Sequence, residues 1–510
     1  MQNLLPEINR HNKSIGITQS VGRPGSKVLA GIDQLLLILP TKVPSGLWRK
    51  VQQGNKIKAL MRKRDKGSVP AAVTRLNNKR QTRVLVGTVS DDTDAFAELT
   101  LGRKLVDAAT TEKAGSLGVW ALGFDTKDQR RIAKHVAAAA LAAGLSMPEF
   151  KSKDSPARIR SIRVIGLDER TDFSRDCAEA EGNNLARWLT ALPPNKLDAV
   201  SFTKLLQELS KRHAWQFKKF GVGELEKLGA GAFLAVAQGN DNNSAAIVRL
   251  RYRPGARTDA PALSLVGKGI IFDTGGTNLK PFASMLDMHT DMQGSAVAVG
   301  TLLAISQLGL PYAIDCWLAI TENRTGPDAY KSQDVVEAAN GKTIQTIHTD
   351  AEGRMALADT LVFASRDKPG LIIDYATLTG SCVNAVTTRY SGVFTNRPQW
   401  HPVLKRAGRN SGERVWPFPV AQEFMSEIKS ETADLKQCAP NGGGDHILAA
   451  VFLNEFVEND VPWVHIDLSA GGRKGGLAHI PTEITGFGVR YTMNLILDQH
   501  ALDQADWKSS

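Results

Sequence analysis

Cysteine is scarce in this chain of 510 residues: there are four, Cys177, Cys316, Cys382 and Cys438, widely spaced and without a CxxC pair. That excludes a disulfide-stapled secreted scaffold and a thiolate zinc finger. The four read instead as free thiols in a reducing compartment, with Cys316 and Cys382 as small buried residues. Long apolar runs are missing as well. A membrane helix needs about 18 consecutive apolar residues, and the best candidates, 35–40 and 136–143, fall far short. The amino terminus carries no signal-peptide core. Glu7, with no arginine-rich amphipathic stretch around it, argues against a transit peptide, so a cytoplasmic protein without a membrane segment is expected.

Charge of one sign is unevenly supplied. The net charge is +11, and up to Thr190 there are 32 Lys and Arg against 19 Asp and Glu, whereas the remainder has 31 against 33. The whole basic excess therefore lies in the first part. It concentrates in KIKALMRKRDK (56–66) and NNKRQTR (77–83), where Lys56, Lys58, Arg62 and Lys63 stand out. A solvated face that keeps the protein in solution accounts for this charge. Contact with the phosphates of DNA is the sharper reading, since clustered Lys and Arg make a sequence-independent nucleic-acid footprint. Aromatic residues make up only 6% of the chain, and Trp48 alone lies near the cluster, so single-strand stacking has little support.

The length calls for two domains. Residues 35–39, 82–89, 116–123 and 162–167 are strand-like, and 95–109 and 128–143 helix-like, which describes a basic α/β domain over about 1–170. A connecting helix is expected over 172–192, within a linker at 171–194, ended by Pro193 and Pro194. Beyond it, helices are expected at 201–212 and 223–228. Strands are expected at 232–238, 245–252, 265–272, 312–320, 371–375 and 463–468.

The chemistry concentrates between Leu265 and Leu361. LVGKGIIFDTGGTNLK (265–280) is apolar up to Phe272 and then breaks at Asp273, Thr274, Gly275 and Gly276, a strand running into a glycine turn. MLDMHTDMQGSA (285–296) follows Asp291 with small residues that let a helix pack close to a sheet. In HTDAEGRMALADTL (348–361), a strand over 343–349 leads to a turn holding Asp350, Ala351 and Glu352, then to a helix over 355–365. Asp273, Asp291, Asp350 and Glu352 can thus converge at one sheet edge, where an α/β sheet places its chemistry. Clustered carboxylates repel unless cations neutralise them, and so oxygen-rich a set suits one or two divalent metals. An unrelated dimetal hydrolase, such as a phosphoesterase, would use the same carboxylates.

These segments resemble the leucine aminopeptidase family of dimetal exopeptidases, the cytosol aminopeptidases. The family motif NTDAEGRL stands here as HTDAEGRM, and VGKGITFDSGG as VGKGIIFDTGG. The likeness extends through TEN (321–323), NGKTI (340–344), DYATLTG (374–380) and TGFGVR (485–490), and covers roughly Asn183 to Arg490. It implies a larger catalytic α/β/α domain over 195–510 with a central mixed sheet, and removal of the amino-terminal residue from short peptides. It makes Lys268, Asp273, Asp291, Asp350 and Glu352 ligands of two divalent ions, manganese or zinc, with Lys280 and Arg354 as the catalytic pair. Metals roughly 3.5 to 4 Å apart share a water and acidify it. Lys268 must lose its proton to coordinate, which burial beside a dication favours. Lys280 would stabilise the oxyanion, and Arg354 would hold a bicarbonate as general base.

By the same resemblance Met288, Thr377, Leu378, Gly380 and the residues after Asp467 receive the first side chain, and six copies assemble around an inner cavity. The chain departs from the family at HIDLSAGG (465–472), where HLDIAG and larger apolar residues are usual. Ser469 and Gly472 make that wall more polar and roomier, and a pocket distinguishes one methylene by only about 1 to 3 kcal/mol, so several amino-terminal residues should be accepted. Glu322 and Asp359 read as structural, and His289 and His348 as scaffold histidines rather than ligands.

Overall fold

The computed structural model describes residues 4–5, 15–65, 67–112, 115–152, 159–240, 244–255 and 260–503. Two sheets organise it. The first contains β1 (Ile17–Val21), β2 (Gln34–Pro40), β3 (Ala72–Arg75), β4 (Arg83–Val89), β5 (Ser116–Ala121) and β6 (Ser161–Leu167), in the order β1-β6-β5-β2-β4-β3. All neighbours pair in parallel except β3, which closes one edge antiparallel to β4. Strands this apolar are buried on both faces. Leu36 and Ile38 face the Ala95–Thr110 and Thr126–Gly144 helices, while Leu35, Leu37 and Leu39 face Trp48 and Ile57 on the other side. Asp94 and Asp125 start the two helices by accepting from Ala97 N and Asp128 N.

The second sheet is mixed. It takes β7 (Gln216–Gly221), β8 (Ala246–Tyr252), β9 (Leu263–Asp273) and β10 (Ile314–Asn323). After a separate three-stranded sheet of β11 (Val335–Glu337), β12 (Thr343–Gln345) and a later short strand, it resumes with β13 (Ile372–Ala376), β14 (Ser391–Thr395) and β15 (Val415–Pro417). That short strand is β16 (Leu435–Lys436), and β17 (Trp463–Asp467) completes the set. The order is β15-β14-β17-β13-β9-β10-β8-β7, with β17, β13, β9 and β10 mutually parallel. One face packs on the Ser174–Thr190, Gln293–Gln307 and Val489–Leu497 helices, the other on Gly231–Ala237, Glu352–Arg366 and Asp445–Asn454. This is the α/β/α arrangement with a central mixed sheet.

Three expectations need correction. Residues 232–238 form a helix, Gly231–Ala237, not a strand. A short apolar run buried all round has no period to separate the two, and Asp359 fixes the outcome by accepting from Phe233 N at 2.8 Å. The strand expected over 343–349 stops at Gln345, because Ile347 N and His348 N donate to the Gln437 side chain instead of to a ladder. Glu352 is the first residue of a helix, not part of the turn.

The connecting helix, Ser174–Thr190, lies in the core of the second sheet's packing with Ala178, Leu185 and Leu189 buried. Its approach to the Gln293–Gln307 helix is set by facing glycines: a Cβ on Gly182 would lie 2.2 Å from Gly300 O, and one on Gly300 2.3 Å from Gly182 O. Among the described residues no helix is long and apolar enough to cross a membrane. Gly300→Ala therefore overpacks a helix seam, at a cost of about 1–3 kcal/mol. Calorimetry should show a midpoint lowered by several degrees, and an unchanged midpoint would mean the two helices separate freely.

Candidate metal centre

Because β9, β10, β13 and β17 are parallel, their carboxyl ends lie along one edge, the position where open α/β sheets hold ligands. β9 ends on Asp273, β10 on Asn323 and β17 on Asp467, and Thr377 follows β13 directly. Outside these ends is a cavity of about 900 Å³, lined by Lys268, Asp273, Lys280, Asp291, Asp350, Glu352 and Arg354. All five expected ligands and both expected catalytic residues are thus brought together. Met288, Thr377, Leu378 and Gly380 line the same cavity, as do Ser469 and Gly472.

The charges interlock. Asp273, Asp350 and Glu352 each offer an oxygen within 4.8 Å of the others. Lys268 Nζ lies 2.8 Å from Asp291 Oδ2 and 2.9 Å from Glu352 Oε1, and donates to Thr377 O at 2.9 Å. Lys280 Nζ is 2.9 Å from Asp273 Oδ2 and also pairs with Asp350. Four carboxylates face two ammonium groups. Burial, reinforced by the Asp273 charge, pushes Glu352 up to about 8, and burial pushes Asp291 up to about 6. Asp350 is raised for the same reasons. Burial alone would lower both lysines, but the surrounding carboxylates hold them above their ordinary value. One ammonium shared by two carboxylates satisfies neither acid fully, so acids and lysine are raised together. The uncompensated negative charge, carried by oxygens at short range, fits hard divalent cations.

Local structure explains how each group gets there. Asp273 Oδ1 accepts from Gly275 N and Asn323 Nδ2, both at 2.8 Å. The turn that follows needs φ of +87° at Gly275 and +66° at Gly276, which glycine adopts without strain. Thr349 Oγ1 donates to Gly275 O at 2.6 Å and ties that turn to the segment carrying Asp350 and Glu352. The Gln293–Gln307 helix comes close to β9 through its small residues, as expected: a Cβ on Gly267 would lie 2.5 Å from Ser295 Cα. That proximity brings Asp291, just before the helix, to Lys268. Gly353 leaves room for the lysine, since a Cβ there would sit 2.6 Å from Lys268 Cε. Glu352 opens the Glu352–Arg366 helix, whose N-terminal dipole favours a negative charge.

Arg354 is buried, donating from Nη2 to Asp445 Oδ2 at 2.7 Å and from Nη1 to Gln437 O at 3.1 Å. Thr379 caps the short Gly380–Val386 helix by accepting from Cys382 N, and donates to Asp467 Oδ2 at 2.7 Å. The residues read as structural behave so: Glu322 pairs with Arg324, and Asp359 accepts from Phe233 N and Ala339 N. His348 is at the cavity, with Nδ1 accepting from Asp350 N at 3.3 Å. His289 is half-buried and lies outside the cavity lining. The four cysteines are free, three of them buried.

Sequence reasoning gave no role to Asn323, Asp445 or Asp467. Asn323 Nδ2 reaches Asp273 Oδ1, Thr349 O at 3.0 Å and Glu352 Oε2 at 3.4 Å. A polar residue ending an apolar strand was the available signal for it. Asp445 follows a glycine run, and nothing local marks its partner. Lys56, Lys58, Arg62 and Lys63 do not belong to this site. They lie on the Gly54–Lys63 helix beside the first sheet, with Lys56, Arg62 and Lys63 exposed and Lys58 half-buried.

The model of the cytosol aminopeptidase family, catalytic domain, matches residues 184–493. A probable cytosol aminopeptidase of Prochlorococcus marinus is 34% identical over 422 residues, 81% of this chain and 83% of that protein. Among solved structures, the bottromycin maturation enzyme BotP in complex with Mn superposes with a TM-score of 0.77 at 27% identity, over 92% of this chain and 99% of its own. A mutant leucine aminopeptidase from tomato shares the fold, with a TM-score of 0.83 at 23% identity over 97% and 99% of the two chains.

Asn323 orients two carboxylates, and loss of such an outer partner costs about 10–100-fold in metal affinity. Asn323→Ala should weaken manganese binding by that factor in a calorimetric titration of chelator-treated protein; an unaltered titration would make its hydrogen bonds incidental.

Proposed function

The chain belongs to the cytosol aminopeptidase family, metal-dependent hydrolases of peptide bonds, and on that premise we propose how its residues divide the reaction. The observation that carries the reading is the convergence of Lys268, Asp273, Asp291, Asp350 and Glu352 with Lys280 and Arg354 in one cavity. The first five hold two divalent ions, with Lys268 giving up its proton to do so. Manganese is supported by the oxygen-rich donor set and by the manganese complex of BotP, and zinc suits the same ligands. When bound, such ions supply Lewis acidity and acidify a water. Membership of this family leaves the phosphoesterase reading without support.

Lys280 keeps its proton and stabilises the negative charge that develops on the scissile carbonyl oxygen. Its position beside Asp273 and Asp350, on the wall of the same cavity, supports that role. Arg354 orients the anionic base that accepts a proton from the attacking water; the family resemblance alone implies a bicarbonate in that place. Met288, Thr377, Leu378 and Gly380 form the wall for the amino-terminal side chain. Ser469 and Gly472, on the same wall, support acceptance of several side chains. The substrates are short peptides.

The division into a basic domain over 1–170, a linker over 171–194 and a catalytic domain over 195–510 is part of this proposal, as are a cytoplasmic location and assembly into hexamers. Exposed Leu279, Phe282 and Leu286, close to Lys280 in sequence, support a subunit contact. A second reading rests on the Gly54–Lys63 helix. Ile57 anchors it, and its exposed cations face outward where DNA phosphates could be met.

Two outcomes follow. Release of an aminoacyl chromogen should need manganese or zinc, stop with chelator, and fall at least about 10³-fold in Glu352→Ala; chelator-resistant activity would refute the metal assignment. DNA retention in a gel shift should decline steeply with salt and with joint reversal of Lys56, Lys58, Arg62 and Lys63 to Glu. Retention that ignores salt, or none at all, leaves those residues as a solvated face.

A further inference from the structure

Arg354 is 2% exposed and Asp445, its ion-pair partner, 26%. The guanidinium is buried in the wall of the cavity, its carboxylate partner is the more exposed of the pair, and both line the same open space. Backbone geometry holds it there: Asp445 is the first residue of the Asp445–Asn454 helix and follows Gly444, at φ of +66°. Gly442, Gly443 and Gly444 present no side chain that could screen the carboxylate from the cavity. Behind it, Arg354 Nη1 is anchored on Gln437 O, and the Gln437 side chain is laced to Ala351 O, Ile347 N and His348 N.

We propose that Asp445 is the general base of this chain, its own carboxylate occupying on Arg354 the place of an external anion. The inference rests on the peptidase reading above and deepens it. A dissolved anion must displace a charge-assisted bond made within the protein, where the effective concentration of the tethered carboxylate is millimolar or higher. Millimolar bicarbonate has no advantage over it. In the step, a water O–H bond breaks and its proton passes to an Asp445 oxygen while the water oxygen bonds to the scissile carbonyl carbon. The C–N bond then breaks, and the same proton moves to the departing amine nitrogen. Asp445 ends as it began. Arg354 fixes the carboxylate's orientation and does not titrate.

The test compares the full-length wild type with Asp445→Ala and Asp445→Asn, loaded with manganese, in carbonate-free buffer with and without bicarbonate. The wild type should be insensitive to bicarbonate. Asp445→Ala should lose about 10²–10⁴-fold in kcat, recover part of it saturably with bicarbonate or formate, and bind bicarbonate in calorimetry where the wild type does not. Asp445→Asn, which still accepts from Arg354 but is not basic, should be equally impaired and resist rescue. Manganese titrations that match across the three proteins exclude a lost ligand. Stimulation of the wild type by bicarbonate, or full activity of either variant without it, overturns the proposal. A wild type inactive with every metal would instead remove the peptidase reading itself.

Discussion

Four carboxylates, three of them buried, cannot be packed together without cations among them, and the rest of the structure serves that requirement. Lys268 is the clearest case. It projects from the middle of β9, away from the strand ends that carry the acids, and reaches Asp291, Glu352 and the Thr377 carbonyl with one ammonium group. For it to fit, the Gln293–Gln307 helix must approach β9 through Gly294 and Ser295, and Gly353 must lack a side chain. An electrostatic need at the centre is thus written into small residues on two helices.

The parallel block of the sheet does the gathering. β9, β13 and β17 each end where their last or next residue lines the same cavity, and Asn323 at the end of β10 bonds to Asp273 there, so residues nearly 200 positions apart in sequence come to share it. Hydrogen bonds then finish what topology begins. Asn323 spans Asp273 and Glu352, and Thr349 joins the two turns that carry the acids. Buried polar groups of this kind cost little only when all are satisfied together, which ties the order of the site to that of its surroundings.

Strands β2, β4, β5 and β6 of the first sheet and the helices at 95–110 and 126–144 were legible because long apolar or strongly periodic runs leave few alternatives, whereas the short edge strands β1 and β3 were not. The convergence of Lys268 and the four acids was legible through their motifs. What escaped has a common physical cause. Residues 231–237 are apolar on every side, so no periodicity separates helix from strand, and a distant carboxylate, Asp359, decides. Polar edge strand β7, with two exposed lysines, offers no alternation to read. Asp445 sits 91 residues from Arg354 in a glycine-rich stretch, and only the fold reveals whom it faces.

The Ser174–Thr190 helix is nominally a connector, yet its apolar side lies inside the larger body and Arg187, on the same helix, donates to Ala142 O in the smaller one. A connector embedded in this way acts as a keel rather than a tether. The two halves of the chain are not modules that evolution could shuffle freely, for cutting ahead of the helix breaks one half's anchorage, and cutting behind it bares a greasy flank on the other.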